Sequence, residues 1–267
     1  MRIPILLFFC ITIAFTSCSP YQKVYRGDSM TAKYNLADSL YQMGKYKKAL
    51  KLMEQVVPVY RGKPQAEKLM FMYSNTFYNL GDHYLAGYQF ERFETSYPKS
   101  DSVEIAAYRS AKSYYELSPR YSLDQKDTYT AIEKLQNYIN KYPNTQYRQE
   151  ANDLVAELRG KLEKKDIEVA KQYLKISEYK PAIEAFDNFI SDHPGSQYRK
   201  DAFFGRFDAG YQLAIRSIPR LVNERLIIAK GYYANFAKYY KDSDLIEDAD
   251  AILEDINKRL NTEEPTS

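Results

Sequence analysis

Apolar residues recur along this chain with a helical period and at a longer spacing. Ala49, Ala86, Ala131, Ala182 and Ala229 serve as anchors. Four residues on stand Met53, Phe90, Leu135, Phe186 and Tyr233; seven on, Val56, Phe93, Tyr138, Phe189 and Phe236; eleven on, Tyr60, Tyr97, Tyr142, His193 and Tyr240. At about 100° per residue, offsets of 0, 4, 7 and 11 fall within an arc of about 60°. Each segment is therefore a helix with one apolar-aromatic stripe. Alanine admits a neighbouring backbone, and the aromatics fill the groove beyond it.

The stops recur as well. Pro98, Pro143 and Pro194 follow the last aromatic position, where proline ends a helix. Turn residues come next: Lys99-Ser100, Asn144-Thr145 and Gly195-Ser196. Eight residues past each proline another alanine (Ala106, Ala151, Ala202) opens the next pair. Upstream, Gly44-Lys45-Tyr46 and Gly81-Asp82-His83-Tyr84 mark tight turns inside the pairs. A unit of helix, turn, helix and proline turn resembles the tetratricopeptide repeat. The anchors are 37, 45, 51 and 47 residues apart, so there are insertions into the usual period of about 34. They fall at Ser118 to Lys126, in Gln146 to Ile176 (one long helix or two abutting ones), and at Arg216 to Asn223.

The expected architecture is an all-α helical-repeat solenoid of five pairs: 30–43 with 45–60, 65–80 with 82–97, 102–117 with 127–142, 146–176 with 178–193, and 198–215 with 221–240. A helix near 244–260, with Leu245, Ala249, Ile252, Leu253, Ile256 and Leu260 on one face, caps the last pair. The domain reading is a leader at 1–17, a lipidated tether at 18–29, repeats one to three at 30–145, repeats four and five with the cap at 146–260, and a tail at 261–267.

The leader reading rests on Arg2, the apolar run Ile3 to Phe15, and Ala14-Phe15-Thr16-Ser17-Cys18. This order is that of a lipoprotein signal, with Cys18 as the acylated residue and no cofactor beyond the covalent diacylglycerol and N-acyl chains. The apolar run is shorter than the roughly 20 residues of a membrane-spanning helix and contains Pro4. Cys10 would leave with the leader, so no internal disulfide is expected. No acidic residue follows Cys18 directly, which suits an outer-membrane destination.

The 267 residues carry 38 basic and 35 acidic side chains, a formal charge of +3, which gives no general pull toward nucleic acid. With 10 Gly and 11 Pro the chain lacks the turn signals of a β protein. No zinc-protease helix, Cys-x-x-Cys pair, phosphate loop or nucleophile elbow occurs. Both histidines, His83 and His193, fall inside the repeat framework and read as half-buried aromatics. The acidic run Asp242, Asp244, Glu247, Asp248, Asp250 reads as favourable charge at a helix N-terminus rather than a metal site. The 27 tyrosines exceed what one stripe needs. They either pack between helices or line a groove for an extended peptide.

Taken together, four features resemble the BamD family, the lipoproteins of the outer-membrane β-barrel assembly machine. They are Cys18, the Tyr97-Pro98-Lys99-Ser100 and Tyr142-Pro143-Asn144-Thr145 endings, the insert Ser118 to Gln125 followed by Ala131-Ile132, and the long segment Leu158-Arg159 to Tyr173-Leu174. The departures are Phe15 in the signal, His193 for tyrosine, and Lys241 where a fifth proline would stand. The resemblance implies a non-enzymatic scaffold, lipid-anchored at the periplasmic face of the outer membrane. Its implied partners are the POTRA domains of a barrel-forming subunit, met through the C-terminal repeats, unfolded outer-membrane proteins, received by the N-terminal repeats, and other assembly-machine lipoproteins. Tyr41, Tyr73, Tyr78, Tyr84 and Tyr114 are the candidate groove residues. The alternatives are a repeat lipoprotein that organises peptidoglycan or division factors and a nutrient-binding lipoprotein. The first usually has a coiled coil before its repeats, for which residues 19–29 are too short; the second carries tryptophan platforms, and this chain has no Trp.

Overall fold

The computed structural model describes residues 20–262, among which twelve α-helices and no strand form. In chain order they are α1 (Pro20–Arg26), α2 (Met30–Gln42), α3 (Tyr46–Tyr60), α4 (Ala66–Leu80), α5 (His83–Ser96), α6 (Val103–Glu116), α7 (Lys126–Lys141), α8 (Arg148–Lys175), α9 (Tyr179–Asp192), α10 (Arg199–Ile215), α11 (Pro219–Tyr240) and α12 (Ile246–Thr262). Cys18 and the leader lie outside the described residues. Two compact units form: 20–118 with 126–155, and 119–125 with 156–262.

The stripes are the core. Ala49, Met53, Val56, Ala86, Phe90, Phe93, Ala131, Leu135, Ala182, Phe186, Ala229 and Phe236 are fully buried, as are Ala106, Ala151 and Ala202. Each buried phenylalanine contributes about 1.5–3 kcal/mol by leaving water. The stripe's last aromatics, Tyr97, Tyr142, His193 and Tyr240, are half-buried at the rim.

Two of the three proline turns share one construction, and at the third the Ser196 hydroxyl accepts from the Tyr198 N–H at 3.2 Å. The Ser100 hydroxyl accepts from the Ser102 N–H at 3.1 Å and donates to Glu67 at 2.6 Å. Thr145 repeats this with the Tyr147 N–H at 3.2 Å and Glu104 at 2.6 Å. One hydroxyl thereby closes the turn before the incoming helix and ties it to the first turn of the preceding repeat's opening helix. At Lys241, where proline is missing, the turn still closes, through Ser243 N–H to Tyr240 C=O at 3.1 Å.

Several expectations change. Residues 19–29, read as a tether, contain α1, whose Tyr21 and Tyr25 pack against the first core cluster. The Tyr21 hydroxyl donates to the Lys48 carbonyl at 3.3 Å. The 146–176 segment is one 28-residue helix, α8. The connection read at Arg216 to Asn223 ends at Ile218, because Pro219 starts α11 with its fixed φ at the first helical turn. Helix α12 runs through Thr262, into the expected tail. In the second unit, the 119–125 insert is held by Lys165 Nζ on the Leu123 carbonyl at 2.5 Å and by Lys164 over the Tyr121 ring at 4.6 Å. Its Gln125 amide donates to the carbonyls of Arg120 and Leu123 at 2.9 and 3.0 Å.

Candidate functional site

In the first unit the opening helices of the three repeats are α2, α4 and α6. Tyr41, Asn75 and Arg109 stand on them at successive intervals of 34 residues. The three helices begin at Met30, Ala66 and Val103, so these positions fall progressively earlier along each successive helix, and there the three meet. An Arg109 guanidinium N–H donates to the Asn75 side-chain oxygen, and this fixes which amide atom is the oxygen. The guanidinium also lies 6.0 Å from the Phe71 ring centre and 5.9 Å from that of Tyr78. Burial pushes the Tyr41 phenol up, while the Arg109 charge and the Asn75 amide pull it back.

Two polar groups in this cluster are unspent. Asn75 is 1% exposed, and its amide nitrogen has no hydrogen-bond partner among the described residues. The Tyr41 hydroxyl lies near enough to feel that amide, yet outside hydrogen-bond geometry. A buried donor left unpaired costs about 1–3 kcal/mol. Arg109 is half-buried with no carboxylate at salt-bridge distance among the described residues. A planar cation and a free amide donor between aromatic faces suit a carboxylate with an aromatic side chain beside it.

The five candidate tyrosines do not share one groove. Tyr41 and Tyr78 belong to the Asn75–Arg109 cluster. Tyr73 packs edge-on to Phe77 at 4.8 Å and against the core. Tyr114 lies over Gly87, where an added Cβ would meet its ring at 3.1 Å. Its hydroxyl donates to Glu91 at 3.2 Å, and Lys134 sits 5.0 Å from its ring while bridging to Glu91 at 2.5 Å. Burial, then the Glu91 charge, pushes its phenol up to about 12. Tyr84 stands beside Tyr114 and is 68% exposed. Asn75 and Arg109 escape a search for aromatics. They are unlike residue types at non-equivalent positions of successive helices, so the repeat pattern does not single them out.

His193 behaves as a repeat aromatic: its ring tilts on Phe189 at 4.8 Å and its Nε2 meets Asp166 at 3.2 Å. In the acidic run, Asp244 pairs with Lys200 at 2.5 Å and Asp250 accepts from Tyr233 at 2.6 Å. Among the described residues no cluster of His, Cys, Asp and Glu is arranged to hold a metal ion.

A family model described as an outer membrane lipoprotein, YfiO, matches residues 26–223, a span that includes the whole cluster. The chain belongs to this family. Outer membrane protein assembly factor BamD of Rickettsia prowazekii is 23% identical over 207 residues, covering 78% of this chain and 81% of that protein. The protein of the same name from Caulobacter vibrioides is 29% identical over 119 residues, covering 45% of this chain; the chain spans 39% of its length. A solved structure of Podosopora anserina putative kinesin light chain TPR-like repeats overlaps 81% of this chain and 98% of its own, at 14% identity and a TM-score of 0.33. At that distance the fold rests on this chain's own helices, which form the all-α, tetratricopeptide-like repeat array. The family is described as one of outer membrane lipoproteins, and both relatives are named as outer membrane protein assembly factors. No described helix is long and apolar enough to cross a membrane.

Proposed function

We propose that this chain is a non-enzymatic scaffold of outer-membrane β-barrel assembly, held at the periplasmic face of the outer membrane by acyl chains on Cys18. Its first unit receives the carboxyl-terminal segment of unfolded barrel proteins, and its second unit docks the POTRA domains of the barrel-forming subunit. Membership of the outer membrane lipoprotein family and the naming of its relatives as outer membrane protein assembly factors support the setting. The observation that carries the reading is Arg109, a half-buried cation with no carboxylate at salt-bridge distance among the described residues, next to the Asn75 amide, unpaired among them, and the rings of Tyr41, Phe71 and Tyr78. A chain ending in an aromatic residue presents a carboxylate and a ring together, which this cluster complements.

For the POTRA contact, the supporting feature is α11, where Ile227 is 62% and Ile228 46% exposed, with Tyr239 55% exposed near its end. Large apolar side chains left in water along one helix mark an interaction surface. Affinity purification of the acylated chain from detergent-solubilised outer membrane tests the assembly role. Co-purification of a POTRA-bearing barrel protein and other assembly-machine lipoproteins is expected. Recovery of peptidoglycan-linked partners alone would overturn it in favour of an envelope-organising lipoprotein.

A further inference from the structure

Positive charge is concentrated at the amino-terminal end of the first unit. Residues 20–53 hold seven basic and two acidic side chains, a net +5 in a chain whose total is +3. Lys23 and Arg26 on α1 and Lys45, Lys47, Lys48 and Lys51 at the start of α3 are all exposed. None of the six has a carboxylate at salt-bridge distance among the described residues, although lysines elsewhere in the unit, such as Lys112, Lys134 and Lys141, are paired. Helix α1 is fixed to the same corner by Tyr21, which donates to the Lys48 carbonyl at 3.3 Å and lies 5.5 Å beneath the Lys48 ammonium.

Folding does not account for this arrangement. A helix N-terminus favours acidic residues, and lysines there oppose the helix dipole. Helix α3 has no acidic residue in its first turn, and its N-cap, Lys45, makes no side-chain cap. The corresponding position in the next repeat is Asp82, which accepts from the Leu85 N–H at 3.2 Å. An open groove lined by Gly44, Lys45, Tyr46, Lys47, Lys48 and Leu80 lies between these ammonium groups. Met43 beside it is 62% exposed.

We propose that this corner binds the anionic phospholipid surface of the membrane, the lysines taking headgroup phosphates and Met43 entering the headgroup layer. A membrane is favoured over an acidic protein because Cys18 precedes α1 by two residues, a reach of at most about 7 Å. The acyl chains of the proposed function would bring this corner to the bilayer, and the charge would set the orientation of the first unit there. A basic patch beside a lipid anchor is a recognised two-signal arrangement.

The test uses the chain from Ser19 onward, which keeps every described residue and lacks acyl chains. Co-sedimentation is measured with vesicles of phosphatidylcholine alone and of equal parts phosphatidylcholine and phosphatidylglycerol. Binding to the anionic vesicles only, weakened by salt, is expected. Replacing Lys45, Lys47, Lys48 and Lys51 with Gln should weaken it about 100-fold or more, while Lys175, Lys180, Lys230 and Lys241→Gln should leave it intact. No binding to anionic vesicles, equal binding to neutral ones, or equal loss in the two variants overturns the proposal; the first result assigns the patch to an acidic protein. Acylation is read separately, by palmitate labelling of the full chain and its Cys18→Ala form, so either claim can fail alone.

Discussion

Gly205 shows how closely the repeats are fitted at the level of single residues. It lies on α10, where a Cβ would come within 2.3 Å of the Phe186 ring tip. Phe186 is fully buried and comes from the aromatic stripe of α9. By helix propensity alone, Gly→Ala stabilises a helix interior by about 1 kcal/mol. Here overpacking wins, at a cost of about 1–3 kcal/mol. Chemical denaturation of Gly205→Ala is therefore expected to show a lower midpoint than the native chain; a higher midpoint would mean that Phe186 has room to move. At the same scale, the stripe was legible because each repeat reuses the same residue class at the same offset. The Tyr41–Asn75–Arg109 cluster was not, because it joins unlike residues at non-equivalent positions of successive helices. Of the five tyrosines named as groove candidates with the family resemblance, Tyr73 packs on Phe77 and Tyr114 on Gly87.

At the scale of elements, the turns inside the pairs follow one backbone form. Gly44 and Gly81 take φ of +69° and +77°, and the N–H groups of Lys45 and Asp82 return to the carbonyls of Leu40 and Phe77. After α8 the same turn is made by Ser177, at φ +66°, with Glu178 N–H reaching the Tyr173 carbonyl at 2.9 Å. A non-glycine residue in the left-handed region costs about 1–2 kcal/mol. Ser177→Gly removes that strain but gains unfolded-state freedom. The expected net result is a stabilisation of about 0.5–1 kcal/mol, read as a raised denaturation midpoint; an unchanged or lowered midpoint would show that the Ser177 side chain contributes what the backbone loses. The helix boundaries were readable because glycine, proline and hydroxyl residues punctuate them. Helix α1 was not, since it has seven residues and its one apolar contact pair, Tyr21 and Tyr25, is too short a run to show a period. Pro219 falls inside the expected connection, although it is the residue that starts α11.

For the whole molecule, the proposed function gives the two units separate tasks, and the receiving task rests on Arg109. A charge-assisted hydrogen bond to a buried carboxylate contributes about 1.5–3 kcal/mol, or about 10–150-fold in affinity. The most direct measurement is calorimetric titration of the chain from Ser19 onward with an extended peptide ending in phenylalanine, as the free acid and as the carboxamide. The free acid is expected to bind at least about tenfold more tightly, and Arg109→Gln to abolish the difference. Equal affinity for the acid and the amide, or a preference that survives in Arg109→Gln, would contradict the proposed receiving task.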